Sequence, residues 1–167
     1  MSDIDFDFIS KLEGGQRLDA YVPAASNSKS GVTVATGFDV GGRDEKDLKA
    51  LKLPDALIAK LEPYLGKTGK DAETFLKGQP LKIDKKEADL IDQVVKKKVE
   101  DTLIPAYDGA IKKRGGTAKF TDLIPEAQTV IASVHFQYQD LAGRTPDFWD
   151  LVVQMDFYGA IDELRDF

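Results

Sequence analysis

Strand-forming texture is confined to one stretch of this chain, and that confinement restricts the fold more than any other feature. From Leu18 to Val40 the residues Tyr21, Val22, Val32, Val34 and Phe38 sit among Gly, Ser, Pro and Asn, which predicts a β-hairpin or small sheet with AASNSKSG as its connection. After Gly41-Gly42 the chain turns charged and helical. Before the strands, IDFDFISKLEGG spaces Ile4, Phe6, Phe8, Ile9 and Leu12 as a short amphipathic helix that stops at Gly14-Gly15. Asp3, Asp5 and Asp7 alternate like a calcium loop but lack its central Gly and distal Glu, so they are read as caps of that helix.

The remainder predicts short helices broken at Pro54, Gly66, Gly69 and Gly78-Gln79-Pro80. Asp84 with Glu87 forms a capping-box-like start to a long helix carrying Leu90, Ile91, Val94, Val95 and Val99, bent near Pro105 and closed by Gly115-Gly116. Two more helices are expected, around Pro125 to Tyr138 and around Asp147 to Leu164. The fold class is α+β: a small lobe holding one helix and a sheet, over about residues 1–80, and a larger helical lobe over 81–167, with a cleft expected between them. Together they form a single domain, the length of 167 residues being ordinary for one.

Composition narrows the chemistry. Cysteine is absent and His135 is the single histidine, so neither disulfides nor a thiolate or histidine zinc site is expected, and chemistry rests on carboxylates, hydroxyls and water. His135, on an apolar helix, reads as a satisfied structural histidine. A net charge of −6 argues against nucleic-acid binding, and it also disfavours adsorption to an anionic cell wall. No run approaches the ~18 apolar residues of a membrane-spanning helix. MSDIDFDFISKLEGG lacks the basic start and long apolar centre of a secretory signal, and is read as folded structure. LGKTGKD lacks the spacing of a phosphate loop, and VVKKKVE reads as a solvated helix face.

Glu13 ends the first helix, where the negative end of the helix dipole disfavours a carboxylate by roughly 0.3–1 kcal/mol. Stability alone would not select an acid there, whereas a proton donor opening onto a cleft suits the place. In GVTVATGFDVG strict alternation puts Thr33 and Ala35 on one face, and Asp39 shares their parity if the strand runs unbroken, although Gly37 favours a bend. A hydroxyl and a carboxylate on one sheet face can hold a water, as inverting glycosidases do with carboxyl groups about 6.5–9.5 Å apart. Read without context, the bland reading is favoured for each: Glu13 a solvated acid beside a helix-ending Gly pair, Thr33 an ordinary strand residue and Asp39 an ordinary turn former.

The stretch from Phe8 to Gly41, FISKLEGGQRLDAYVP through SGVTVATGFDVG, resembles the catalytic start of the pesticin-type muramidases, bacterial toxin domains related to T-even phage lysozyme. VIASVHFQYQDL and FWDLVVQMDFYGAIDEL are similar to the helices that back the cleft in both groups, while residues 43–120 match only in helical texture. The resemblance implies a lysozyme-like fold with Glu13 as the acid, Thr33 as the water-positioning hydroxyl and Asp39 as the second carboxylate. It puts a cleft-facing amide at Gln137, a group that both donates and accepts. Phe38 and Tyr138 are able to stack on a sugar ring, though aromatic residues are more often core. Departures from the phage pattern are clear: the place of its second acid, beyond Tyr21, holds Pro23, and Asp19 reads as a solvated hairpin residue. Such domains continue past the position of Phe167, so the last helix is expected to be incompletely covered.

The implied activity is inverting hydrolysis of the β-1,4 bond between N-acetylmuramic acid and N-acetylglucosamine, by a toxin, effector or lytic enzyme needing no cofactor and no metal. Peptidoglycan glycan strands are then the partner, with an immunity protein as a further one, and the domain acts as a monomer without entering a membrane or binding nucleic acid. It would work in the periplasm or wall of a target cell, delivered by a carrier domain, a secretion system or a phage route, and the resemblance makes it the carboxyl-terminal part of a larger toxin. Two other classes stay open: a non-catalytic wall-binding or delivery domain, and a helical protein-interaction module using residues 43–120.

Overall fold

The computed structural model describes residues 1–25 and 29–166, so the middle of the AASNSKSG connection lies outside the described residues. The architecture is α+β and lysozyme-like, with a small three-stranded antiparallel sheet among helices. In chain order the elements are α1 (Phe6–Leu12), β1 (Arg17–Tyr21), β2 (Thr33–Ala35), β3 (Phe38–Asp39), α2 (Glu45–Ala50), α3 (Asp55–Leu61) and α4 (Gly69–Gly78). They continue as α5 (Lys85–Lys113), α6 (Pro125–Tyr138), α7 (Leu141–Arg144), α8 (Pro146–Val153) and α9 (Phe157–Glu163). Two compact units divide the described chain: Ser10–Lys96, and Met1–Ile9 with Lys97–Phe167.

The first unit is built around the sheet. β1 pairs with β2 antiparallel, Arg17 opposite Ala35 and Tyr21 opposite Thr33, with an irregularity between. β3 then pairs with β2, setting Thr33 opposite Asp39 and Val34 opposite Phe38. The stretch expected as one strand is therefore two, and the chain reverses through Ala35, Thr36 and Gly37. Ala35 and Gly37 both take positive φ, +50° and +71°, a backbone sign that suits glycine. The free edge of β1 is covered by residues 81–83, where Ala20 N–H donates to Leu81 O and Ile83 N–H to Leu18 O, both at 2.9 Å. Val32, Val34, Val40, Leu48, Leu61 and Ile91 are wholly or almost wholly buried in this core.

Two glycines let the strands and the following loop meet. A Cβ on Gly31 would lie 2.4 Å from Gly41 Cα, and one on Gly41 would lie 2.0 Å from Lys67 O, so neither position has room for a side chain. Gly69 N–H donates to Ser30 O at 2.8 Å in the same place. LGKTGKD thus serves as a backbone junction leading into α4. Asp84 and Glu87 form the expected reciprocal cap at the start of α5, with Glu87 N–H to Asp84 at 2.8 Å and Asp84 N–H to Glu87 at 2.7 Å.

The second unit packs around Tyr107, which is fully buried and meets Phe120 and Trp149 edge-on at 5.6 and 6.1 Å. Its hydroxyl donates to Val152 O. The amino terminus is tied to α6 by buried polar groups: Asp3 N–H donates to Gln128 Oε1 at 2.8 Å and Asp5 N–H to Thr129 Oγ1 at 2.9 Å. Asp5 also caps α1 through Phe8 N–H, as its position predicts.

The helix expected over Asp147 to Leu164 is in fact two, α8 and α9, separated at Gln154-Met155-Asp156. Met155 has φ of +60°, and Asp156 restarts the helix by accepting from Gly159 N–H at 2.9 Å. The apolar periodicity runs on across the break and conceals it. Among the described residues no helix is long and apolar enough to cross a membrane.

His135 is half-buried with Nε2 3.0 Å from Thr102 Oγ1. The Thr102 hydroxyl already donates to Lys98 O at 2.8 Å, so it accepts from the imidazole N–H. Burial lowers the His135 pKa below its ordinary 6.5, against a smaller opposing pull from Asp140. A lowered folded pKa means the unfolded chain takes up the proton first, so stability is intact above 6.5 and declines as the pH falls through the folded value. His135→Gln should flatten urea-unfolding stability between about pH 5 and 7 relative to the parent. Parallel stability curves for the two proteins would show that His135 carries no such penalty.

Candidate active site

Glu13 owes its place to the way α1 stops. Gly15 N–H donates to Ser10 O at 2.8 Å and Gly14 N–H to Lys11 O at 3.2 Å, the paired bonds of a Schellman closure. Gly14 and Gly15 take φ of +87° and +79°, which is why two glycines follow the acid. Glu13 is consequently the capping residue just past the helix, one step beyond the last turn expected for it. It is half-buried, and its side chain forms no hydrogen bond or ion pair among the described residues.

Thr33 and Asp39 come together by strand pairing. They face each other across β2 and β3, and Val40 N–H donates to Val32 O at 2.8 Å just beside the pair. That bond marks Thr33 and Asp39 as a non-hydrogen-bonded pair, the kind whose Cα atoms lie about 4.5 Å apart with side chains on one face. Shared parity along an unbroken strand is therefore replaced by direct opposition across a reversal, with the same facial outcome.

The groups are also locked to the backbone. Asp39 accepts from Gly31 N–H at 3.1 Å with one oxygen and from Gly42 N–H at 2.9 Å with the other. Thr33, only 2% exposed, donates its hydroxyl proton to Gly31 O at 3.0 Å. Gly31 thus links the two, receiving from the threonine at its carbonyl and giving to the carboxylate from its amide. Each Asp39 oxygen and the Thr33 oxygen retain acceptor capacity for a further partner.

Arg43, which the sequence did not single out, stacks its guanidinium on the Phe38 ring at 4.5 Å. Burial lowers its pKa from the ordinary arginine value, opposed by the charge of Asp47 and then Asp39. Its Nε is buried without a hydrogen-bond partner among the described residues.

A second polar cluster, also unforeseen, adjoins the first. Asp92 on α5 accepts from Thr36 N–H at 3.0 Å with one oxygen. The other oxygen accepts from Thr36 Oγ1 at 2.9 Å and from Gln16 Nε2 at 2.7 Å. Ser10 Oγ lies 3.3 Å from Thr36 Oγ1, and Gln16 Nε2 also donates to Asp89 at 3.0 Å.

The remaining sequence-predicted residues fall elsewhere. Phe38 is 3% exposed and belongs to the core of the first unit, so stacking on a sugar would require that core to open. Asp19 is 76% exposed beside Lys82, the solvated role expected of it. Gln137, exposed, and Tyr138, half-buried, are carried by α6 in the second unit. Among the described residues no group of three or more His, Cys, Asp or Glu side chains is arranged to hold a metal ion.

Glu13, Thr33 and Asp39 sit in a lysozyme-like α+β fold, and a match to a phage-lysozyme-like family over most of the chain makes this a glycosidase kind of enzyme. Residues 3–158 match the pesticin family, described as a bacterial toxin homologue of phage lysozyme, C-terminal, and the chain belongs to that family. No curated protein matches the chain.

Asp39→Asn replaces one accepting oxygen with an amide donor that faces a backbone N–H. It should cost about 1–2 kcal/mol of unfolding free energy, measured by urea denaturation. An unchanged midpoint would mean that the carboxylate does not tie Gly31 to Gly42.

Proposed function

We propose that this domain is a muramidase that hydrolyses the β-1,4 bond between N-acetylmuramic acid and N-acetylglucosamine in peptidoglycan. Glu13 gives its proton to the glycosidic oxygen as the bond from that oxygen to the anomeric carbon breaks. A water held by Asp39 and Thr33 attacks the anomeric carbon from the opposite face and passes its proton to Asp39. One water is consumed, and the configuration inverts. Preorganisation supports the division of labour: Asp39 is held at both oxygens, and Thr33 has already given its proton to Gly31 O, so each can serve a water only as an acceptor.

The observation that carries this reading is the in-register Thr33 and Asp39 pair, locked through Gly31, in the same compact unit as a Glu13 that has no competing partner among the described residues. Family membership supplies the class of reaction. Peptidoglycan glycan strands are the partner in this proposal, with Gln137 and Tyr138 as sugar-contacting residues. The domain works as a monomer on the wall of a target cell, is carried there by an attached domain, a secretion system or a phage route, and is neutralised by an immunity protein.

Mass spectrometry of purified peptidoglycan treated with parent and Glu13→Gln protein tests this directly. The parent should release muropeptides ending in reducing N-acetylmuramic acid, and Glu13→Gln should slow release about 100- to 10,000-fold. Equal release by both proteins removes Glu13 from the mechanism. Sedimentation of the parent with insoluble peptidoglycan, with nothing released, would instead make this a binding domain.

A further inference from the structure

The closure of α1 sets Glu13 relative to its own helix, and further contacts set it relative to the hairpin. Gly14 and Gly15 follow it, and a Cβ on either would meet nothing within 4 Å, so the turn itself has no side chain that anchors the acid to the hairpin. The nearest polar anchors lie on either side. Ser10, one turn earlier on α1, meets Thr36 in the reversal between β2 and β3. Gln16, just beyond the glycines, donates its amide to Asp92 and Asp89. Both routes converge on Asp92, which binds Gln16 directly and binds Thr36 at its backbone and its hydroxyl.

We infer that Asp92 is a positioning residue for the general acid: its carboxylate fixes the α1 terminus bearing Glu13 to the hairpin bearing Thr33 and Asp39. This rests on the proposed muramidase reading. Asp92 touches no reacting atom and acts through Gln16, Thr36 and Ser10. Its three accepted bonds come from two partners separated from it by 56 and 76 residues, so one side chain closes two long loops. Gln16 places its NH2 between two carboxylates, which fixes the amide orientation, so an amide at position 92 would set donor against donor. The carboxylate is therefore required for its charge and acceptor capacity, beyond its size.

Loss of position costs turnover more than binding, because a displacement of the order of 1 Å at a reacting group can lower rate about 100-fold while distant sugar contacts persist. The experiment measures kcat and KM for peptidoglycan solubilisation by parent, Glu13→Gln, Asp92→Ala and Asp92→Asn proteins, at a temperature where circular dichroism shows each to be folded. Asp92→Ala should lower kcat roughly 10- to 100-fold with KM within about twofold of the parent, and Asp92→Asn should lower it by a smaller factor. A kcat within about twofold of the parent for folded Asp92→Ala, while Glu13→Gln is inactive, overturns the inference and leaves the muramidase reading intact. An inactive parent, or an active Glu13→Gln protein, overturns both. If Asp92→Ala does not fold, Gln16→Leu and Thr36→Val each remove one of the two routes. A fall in kcat in either then supports the positioning role, and parental kcat in both overturns it.

Discussion

The close approach of two backbones at Gly31 and Gly41 is the constraint on which the sheet and its threonine-aspartate pair rest. A Cβ at either place would drive β2 away from the loop after β3 or into Lys67 O. With both positions bare, the Gly31 amide reaches Asp39 and its carbonyl receives Thr33, so a steric allowance becomes a hydrogen-bonded link between the two side chains. Both strands are very short, three and two residues, and such a ribbon gains little stability from its own ladder. The link through Gly31 and the burial of Val32, Val34 and Val40 supply what the ladder lacks.

Polar groups hold the helical parts in register by a related economy. Gln128, fully buried, accepts from Asp3 N–H and donates to Leu123 O, and Thr129 accepts from Asp5 N–H while giving its proton to Pro125 O. Each side chain satisfies itself while tying the amino-terminal strand of chain to α6. A hydrophobic contact would bury similar area without fixing the axial position so narrowly.

Much of the fold was legible because its signals are local. The glycine stop after Glu13, the Asp84 and Glu87 cap, and the apolar spacing of α5 and α6 each act within a few residues, and each element formed where its signal lay. The reversal at Ala35, Thr36 and Gly37 was obscured because strands of two and three residues are too short for alternation to register. The break between α8 and α9 carried a readable sign after all. Asp156 accepts from Gly159 N–H as Asp140 accepts from Gly143 N–H, and in both an aspartate caps a helix whose third residue is glycine. At Gly143 a Cβ would come within 2.3 Å of Asp140, which explains the pairing of the two residue types. For the candidate site, a motif singled out Glu13, Thr33 and Asp39, whereas nothing in the sequence pointed to Asp92, Gln16 and Arg43. The partners of Asp92 are far away in sequence, and no local spacing encodes such contacts.

The pair of glycines behind Glu13 has one more implication. Open space around both means that the closure of α1 is selective for backbone handedness and indifferent to side-chain volume. A mirror-image residue such as D-alanine, introduced by chemical synthesis, would occupy the positive-φ basin naturally and restrict the unfolded chain. Replacement of a glycine at a compatible site stabilises by about 0.4–1 kcal/mol. The acid's tether could thus be stiffened without adding a contact, separating the chirality of the turn from the packing around it.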